Sequence, residues 1–299
     1  MTGERLTVTT VDGRSLAVRA AGPPSADALV LLTGTPSAGT LFPPVAETAA
    51  ARGLRAVSYA RPGYGDSDRH RGRSVADCAD DVARVAEALG LRRLLVAGWS
   101  GGGPHALACA ARLPGLVAAA ATLASVAPAD AAGLDWSAGM GPENVEEFGR
   151  ARAGEAALRP YLEAQAAGLA AVTGAEVADA LGGLVTDVDR AALTGELADQ
   201  LAADFREAVR TGVDGWLDDD LAFTRDWGFR LADVAVPVTI WQGAQDLMVP
   251  LAHGEWLATA VPGVRARLLP DEGHVSLVSR WCEIVDDLLE RAGDGRRPA

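Results

Sequence analysis

Apolar residues along this chain gather into short strand-length runs, separated by longer stretches in which they recur every three to four positions. The runs at 28–33, 54–59, 94–97, 116–123, 236–241 and 264–269 are mostly apolar, with little alternation, and end in glycine, proline or charge. Runs of this kind predict strands covered on both faces, as in a parallel sheet between two layers of helices. Helical spacing between the runs predicts helices at 41–51, 104–112, 251–260 and 275–291. Ser74 reads as an N-cap with Asp77 three residues on. Val75, Cys78, Val82, Val85 and Leu89 follow at helical spacing, and Gly90 is the stop. Near the N-terminus, 5–10 and 15–20 flank Asp12-Gly13, which predicts an antiparallel hairpin.

The alternation of strand and helix stops at about residue 128 and resumes at about 233. The intervening stretch is rich in alanine, glycine and acid, with helices expected over 146–153, 156–171, 190–210 and 215–223. The expected organisation is a core in two parts, 1–127 and 233–299, with an all-helical cap over 128–232. Reactive groups in parallel sheets gather at the carboxyl ends of the strands. An insertion that leaves and re-enters at that edge is expected to cover it as a lid. The tail 293–299 is expected to be disordered.

Composition mainly removes possibilities. Hydrophobic residues make up 49% of the 299 positions and charged residues 22%, as in a soluble chain with a large core. A net charge of −13 argues against a nucleic-acid partner, because binding phosphates needs a basic surface. All 27 basic residues are arginine, which excludes a Schiff-base lysine and a phosphate-loop lysine. No apolar run reaches the roughly 18 residues of a membrane span, and Met1 to Arg5 lacks signal-peptide character. These features predict a cytoplasmic protein with no membrane partner. Cys78, Cys109 and Cys282 are widely separated in helix-like segments, so buried reduced thiols are expected rather than disulfides or a zinc site. No metal or cofactor is expected, and monomer and homodimer both stay open.

The chemistry centres on Gly98-Trp99-Ser100-Gly101-Gly102, between a strand-like run and a helix-like one. This is the arrangement of a nucleophile elbow, with serine in a strained turn and glycines where a Cβ would collide with neighbouring backbone. The pentapeptide alone is weak, because 34 of 299 residues are glycine; its context gives it weight. A serine needs a base, and the base needs an acid partner. Of the four histidines, His274 lies in a loop after a strand-like run. His105 lies within the helix leaving the elbow, His253 in a helix's first turn and His70 in a polar loop. Asp246 is the acid in the turn after the 236–241 run. The resulting order is Ser100, Asp246, His274.

With these segments in view, the chain resembles the α/β-hydrolases, in their capped, proline-iminopeptidase-like or epoxide-hydrolase-like branch. The matching segments are Thr33-Gly34-Thr35-Pro36, Arg61-Pro62-Gly63-Tyr64-Gly65-Asp66-Ser67, the elbow, Gly243-Ala244-Gln245-Asp246 with Val249-Pro250, and Glu272-Gly273-His274. The resemblance implies a mostly parallel eight-stranded sheet with a helical cap inserted after strand 6. It implies a catalytic triad of Ser100, Asp246 and His274, and an oxyanion hole made by the backbone N–H groups of Thr35 and Gly101. Serine in the elbow argues against chemistry through an alkyl-enzyme ester. The implied activity is cofactor-independent hydrolysis of a small-molecule ester or lactone through an acyl-enzyme. Amide cleavage, C–C bond hydrolysis and a non-catalytic binding protein of the same fold are the alternatives. Thr33 stands where this family usually has histidine, and its hydroxyl is expected to share in propping the loop. The Arg61 segment is read as a structural turn beneath the site rather than an anion site. Trp99 is read as packing beside the elbow; Trp136, Trp216 and Trp227 are assigned to pocket lining or cap core. The run Asp218-Asp219-Asp220 is read as a solvated helix face.

Overall fold

The computed structural model describes residues 3–293; 294–299, most of the tail expected to be disordered, lie outside the described residues. The hairpin forms from β1 (Glu4–Thr9) and β2 (Ser15–Ala21), paired antiparallel. β3 (Asp27–Leu32), α1 (Pro43–Ala50), β4 (Arg55–Tyr59), α2 (Cys78–Leu89), β5 (Arg93–Trp99), α3 (Gly102–Arg112) and β6 (Val117–Leu123) follow in strict alternation. Ser74 and Asp77 form the expected capping box, and Gly90 ends α2 at φ 66°.

Between β6 and the next strand the described residues form turns over 124–141 and then helices: α4 (Pro142–Ala153), α5 (Glu155–Leu169), α6 (Val177–Ala180), α7 (Asp187–Ala192), α8 (Gly195–Val209) and α9 (Asp214–Phe223). Where one helix is expected over 190–210 there are two, because Gly195 takes φ 54° and breaks the run. β7 (Val238–Gly243), α10 (Leu251–Ala260), β8 (Arg265–Leu269) and α11 (Trp281–Arg291) complete the chain. The last expected helix begins as a 3-10 turn over Ser276–Arg280.

The eight strands form one sheet in the order β1-β2-β4-β3-β5-β6-β7-β8. β2 and β4 are antiparallel, whereas the six strands from β4 through β3, β5, β6 and β7 to β8 run parallel to one another. Alternate side chains of the central strands feed opposite layers. Leu29 and Leu31 of β3 join one buried cluster, and Ala28, Val30 and Leu32 the other. This double burial explains the unbroken apolar runs. The parallel direction of the strands places the loops after β3, β5, β7 and β8 along one edge. No helix of the described residues is long and apolar enough to cross a membrane. Cys78 and Cys109 are buried free thiols as expected, but Cys282 is exposed, because it lies on the outward side of amphipathic α11.

Candidate active site

Ser100 follows β5 with φ 55°, a left-handed conformation costing a non-glycine residue about 1–3 kcal/mol. Packing holds it there. The Ser100 N–H donates to the Leu123 carbonyl at 2.8 Å, and the Gly103 N–H donates to the Ser100 carbonyl at 2.9 Å. A Cβ on Gly98 would collide with the Gly102 carbonyl, and one on Gly102 with the carbonyl of Leu32. The glycines of the motif are therefore steric necessities of a turn wedged between two strands and a helix. Gly101 is the N-cap of α3, at the positive end of its dipole.

Asp246 and His274 come from the turns after β7 and β8. His274 Nδ1 stands 2.9 Å from Asp246 Oδ2, and both residues are buried. Asp246 Oδ1 accepts the N–H groups of Met248 and Val249 at 2.8 and 2.7 Å. Gln242 Nε2 donates to Oδ2 at 3.2 Å. Burial pushes the Asp246 carboxyl up, against the opposing pull of His274. For His274, burial disfavours the charged ring, but the Asp246 carboxylate more than offsets this and leaves the imidazole more basic than usual. With Nδ1 engaged by the acid, Nε2 is the nitrogen left to exchange a proton with a neighbour.

Ser100 and His274 line the same cavity, of about 260 Å³, and Thr33, Gly34, Thr35 and Gly101 contribute to its wall. The loop after β3 faces the serine: a Cβ on Gly34 would lie 3.6 Å from Ser100 Oγ. Two of the remaining histidines, His105 and His253, are engaged elsewhere. His105 Nδ1 is 2.8 Å from the Gly101 carbonyl, and burial takes its pKa down to about 3. His253 accepts the Ala127 N–H at 3.1 Å and lies 2.9 Å from the Trp136 carbonyl. Among the described residues no group of three or more His, Cys, Asp or Glu is placed to hold a metal ion.

The alpha/beta hydrolase fold family matches residues 27–280 of this sequence. The chain belongs to that family. It is 31% identical over 233 residues to a pimeloyl-[acyl-carrier protein] methyl ester esterase of Aromatoleum aromaticum, an alignment covering 76% of this chain and 83% of the relative. Among solved structures, a hydrolase from Pseudomonas aeruginosa superposes with a TM-score of 0.70 at 22% identity, covering 97% of this chain and 99% of that one. An esterase from a Rhodococcus species superposes with 0.67 at 23% identity, with the same coverage. These likenesses establish the eight-stranded hydrolase fold.

In this α/β-hydrolase the helical segment does more than its sequence pattern suggests. The run Asp218-Asp219-Asp220 of α9 is buried, with exposures of 3% for Asp218 and 0% for Asp219 and Asp220, so the expectation of a solvated face is overturned. Every residue from Gly215 to Phe223 is buried; Asp218 and Asp219 meet arginines from the loops below, whereas Asp220 lies beside Glu147. Asp219 Oδ2 lies 2.6 Å from Arg61 Nη2, and Oδ1 lies 2.8 Å from Arg73 Nη2. Tyr64 and Thr35 hydroxyls also donate to Asp219, at 3.1 and 2.8 Å. Burial opposes the charge on Asp219, but the two guanidiniums overcome it and hold the carboxyl below the usual range.

Arg61 in turn donates to the carbonyls of Thr33 and Gly34 at 2.6 and 2.7 Å and to Thr35 Oγ1 at 2.9 Å. The segment is therefore the turn beneath the site that was expected, and it braces the loop after β3. The Thr33 hydroxyl is buried and finds no hydrogen-bond partner, so the propping expected of it falls to Arg61. Trp99 packs edge-on to Phe42 and also lines the cavity. Trp216 lines the cavity too, whereas Trp136 and Trp227 belong to the buried cluster around β3 and β5. Sequence reasoning missed Asp219 and Arg61 as partners. Three acids flanked by Trp216-Leu217 and Leu221-Ala222-Phe223 leave the helix no wet face, and that was the available signal.

Proposed function

We propose that this α/β-hydrolase cleaves small-molecule carboxylic esters through an acyl-enzyme on Ser100. The observation that carries the reading is the 2.9 Å contact of His274 Nδ1 with Asp246, in a cavity that His274 shares with Ser100. Ser100 Oγ attacks the ester carbonyl as His274 Nε2 takes its proton, and Asp246 stabilises the imidazolium. The backbone N–H groups of Thr35 and Gly101 hold the tetrahedral oxyanion, and each such donor is typically worth about 3 kcal/mol in the transition state. As the intermediate collapses, His274 returns the proton to the departing alcohol oxygen. Water then attacks the acyl-enzyme, with His274 as base, and releases the acid and free Ser100.

Residues 128–232 act as a cap over this site, and Leu169, Leu181, Leu201 and Phe205 from its helices give the cavity apolar walls that suit an acyl chain. The curated relative acts on a methyl ester, which favours ester over amide or C–C cleavage here. A strained serine and a histidine in one cavity, with a buried acid bonded to that histidine, also favour a catalyst over a binding protein of this fold. Three free cysteines accord with a reducing compartment such as the cytoplasm.

The test is a screen of p-nitrophenyl esters and lactones against the native protein and Ser100→Ala, with labelling by a fluorophosphonate. The expected result is ester turnover that falls by about 10⁴-fold or more in the variant, with label on Ser100 of the native protein alone. Turnover that survives the substitution would overturn the assignment of the nucleophile.

A further inference from the structure

Asp189 lies on the short cap helix α7, has 0% of its surface exposed, and points at the loop that carries His274. Its Oδ2 accepts the His274 N–H at 2.9 Å, and its Oδ1 accepts the N–H groups of Val275 and Ser276 at 2.8 and 3.0 Å. The first N–H groups of a helical turn have no partner within it. Here a carboxylate supplied from 85 or more positions away in sequence satisfies three in a row. The approach is tight enough that a Cβ on Gly273 would come within 2.6 Å of the Asp189 carboxyl carbon.

His274 is thereby fixed at three points. Asp189 holds its N–H, Trp99 Nε1 donates to its carbonyl at 3.2 Å, and Asp246 engages its ring at 2.9 Å. Trp99 and Asp246 belong to the core, and Asp189 alone of the three belongs to the cap.

We propose that Asp189 is a positioning residue for the reaction, a cap carboxylate that sets where His274 stands and so makes the cap part of the proton relay. This rests on the reading of Ser100 and His274 as nucleophile and base. A purely structural cap of the 276–280 turn would contribute to stability alone. A positioning role also enters the chemical step, because an error of about 1 Å in a reacting group can cost on the order of 10²-fold in rate. The negative charge also bears on the base: burial opposes protonation of His274, and Asp246 first and Asp189 after it favour the protonated ring.

The experiment compares native protein, Asp189→Ala and the isosteric Asp189→Asn for kcat, KM and the pH profile of kcat/KM on the best p-nitrophenyl ester. It adds the low-field proton resonance of the His274–Asp246 hydrogen bond, which needs no substrate. Asp189→Ala is expected to lower kcat by about 10²-fold with KM little changed. Asp189→Asn, which keeps an acceptor oxygen but not the charge, is expected to fall between the two. In both variants the acid limb moves to lower pH and the low-field resonance shifts or broadens. If Asp189→Ala does not fold, Asp189→Asn decides the matter. A variant that loses stability yet keeps native kcat and the native acid limb overturns the proposal. If the native protein turns over no ester, the functional reading fails separately, and an unchanged low-field resonance in Asp189→Asn still overturns this one.

Discussion

Arg61 and Asp219 are joined by a buried ion pair, with Nη2 and Oδ2 2.6 Å apart and their side chains 2% and 0% exposed. The arginine comes from the loop after β4 and the aspartate from α9, and between them they grip Thr35 through its hydroxyl. Removing one partner of such a pair leaves an uncompensated charge, at a cost of about 3–5 kcal/mol. Arg61→Ala is therefore expected to lower the unfolding free energy by that order. It also releases the carbonyls of Thr33 and Gly34, so kcat measured well below the melting temperature should fall on the order of 10²-fold. Denaturant unfolding and steady-state kinetics on the same sample check both; full turnover in a destabilised but folded variant would separate the loop's geometry from Arg61.

The pH dependence of activity follows from the base. In the proposed mechanism His274 must be neutral to accept the serine proton, and its pKa lies above the ordinary value because the carboxylates of Asp246 and Asp189 together outweigh the effect of burial. The acid limb of kcat/KM is thus expected at a midpoint above about 6.5, with activity rising as pH increases through it. Asp246→Asn removes the charge and the acceptor that fixes the tautomer. That variant should lose kcat by about 10⁴-fold and show its residual acid limb at lower pH. A native midpoint well below 6.5 would contradict the proposed electrostatics.

Stability should carry a different signature, from Glu147 and Asp220 in the cavity wall. Burial takes the Glu147 pKa from 4.5 up to about 7, and Trp216 Nε1 donates to its Oε1 at 2.9 Å. Burial and the neighbouring Glu147 also push Asp220 well upward. Glu147 in the folded protein then binds a proton over a pH range in which the unfolded chain has released it. Its contribution is fully present below about 4.5 and is lost as pH rises towards 7. Glu147→Gln keeps an acceptor for Trp216 and removes the titration. Its urea midpoint is expected to depend less on pH across that window than the native one; two parallel pH profiles would refute the linkage.

Much of the fold was legible because it is written locally. Continuous apolar runs marked the parallel strands, Ser74 with Asp77 marked the start of α2, and the Asp12-Gly13 turn marked the hairpin. The motifs after β5, β7 and β8 named Ser100, Asp246 and His274, which the sheet brings to one edge. The helices between β6 and β7 resisted the same reading. A helix is assigned a wet face from its charges, and that rule fails for Asp219, whose partner Arg61 stands 158 positions away. Asp189 was invisible for the same reason, because its partners are backbone N–H groups 85 or more positions on, which no side-chain pattern reports. The break at Gly195 was missed because alanine-rich sequence on both sides carries helical spacing straight through it.

Asp189, Asp204 and Asp219 reach from α7, α8 and α9 onto loops at the edge of the sheet, Asp204 accepting the Ala38 N–H at 3.1 Å and the Thr40 hydroxyl at 2.6 Å. In an enzyme built this way, the insertion is not an interchangeable cover. A chimera that grafted a relative's helices onto this sheet to change its substrate would remove acceptors from the loop that carries His274 and from the loop after β3. Reshaping the pocket while retaining those three acids is the route the architecture leaves open.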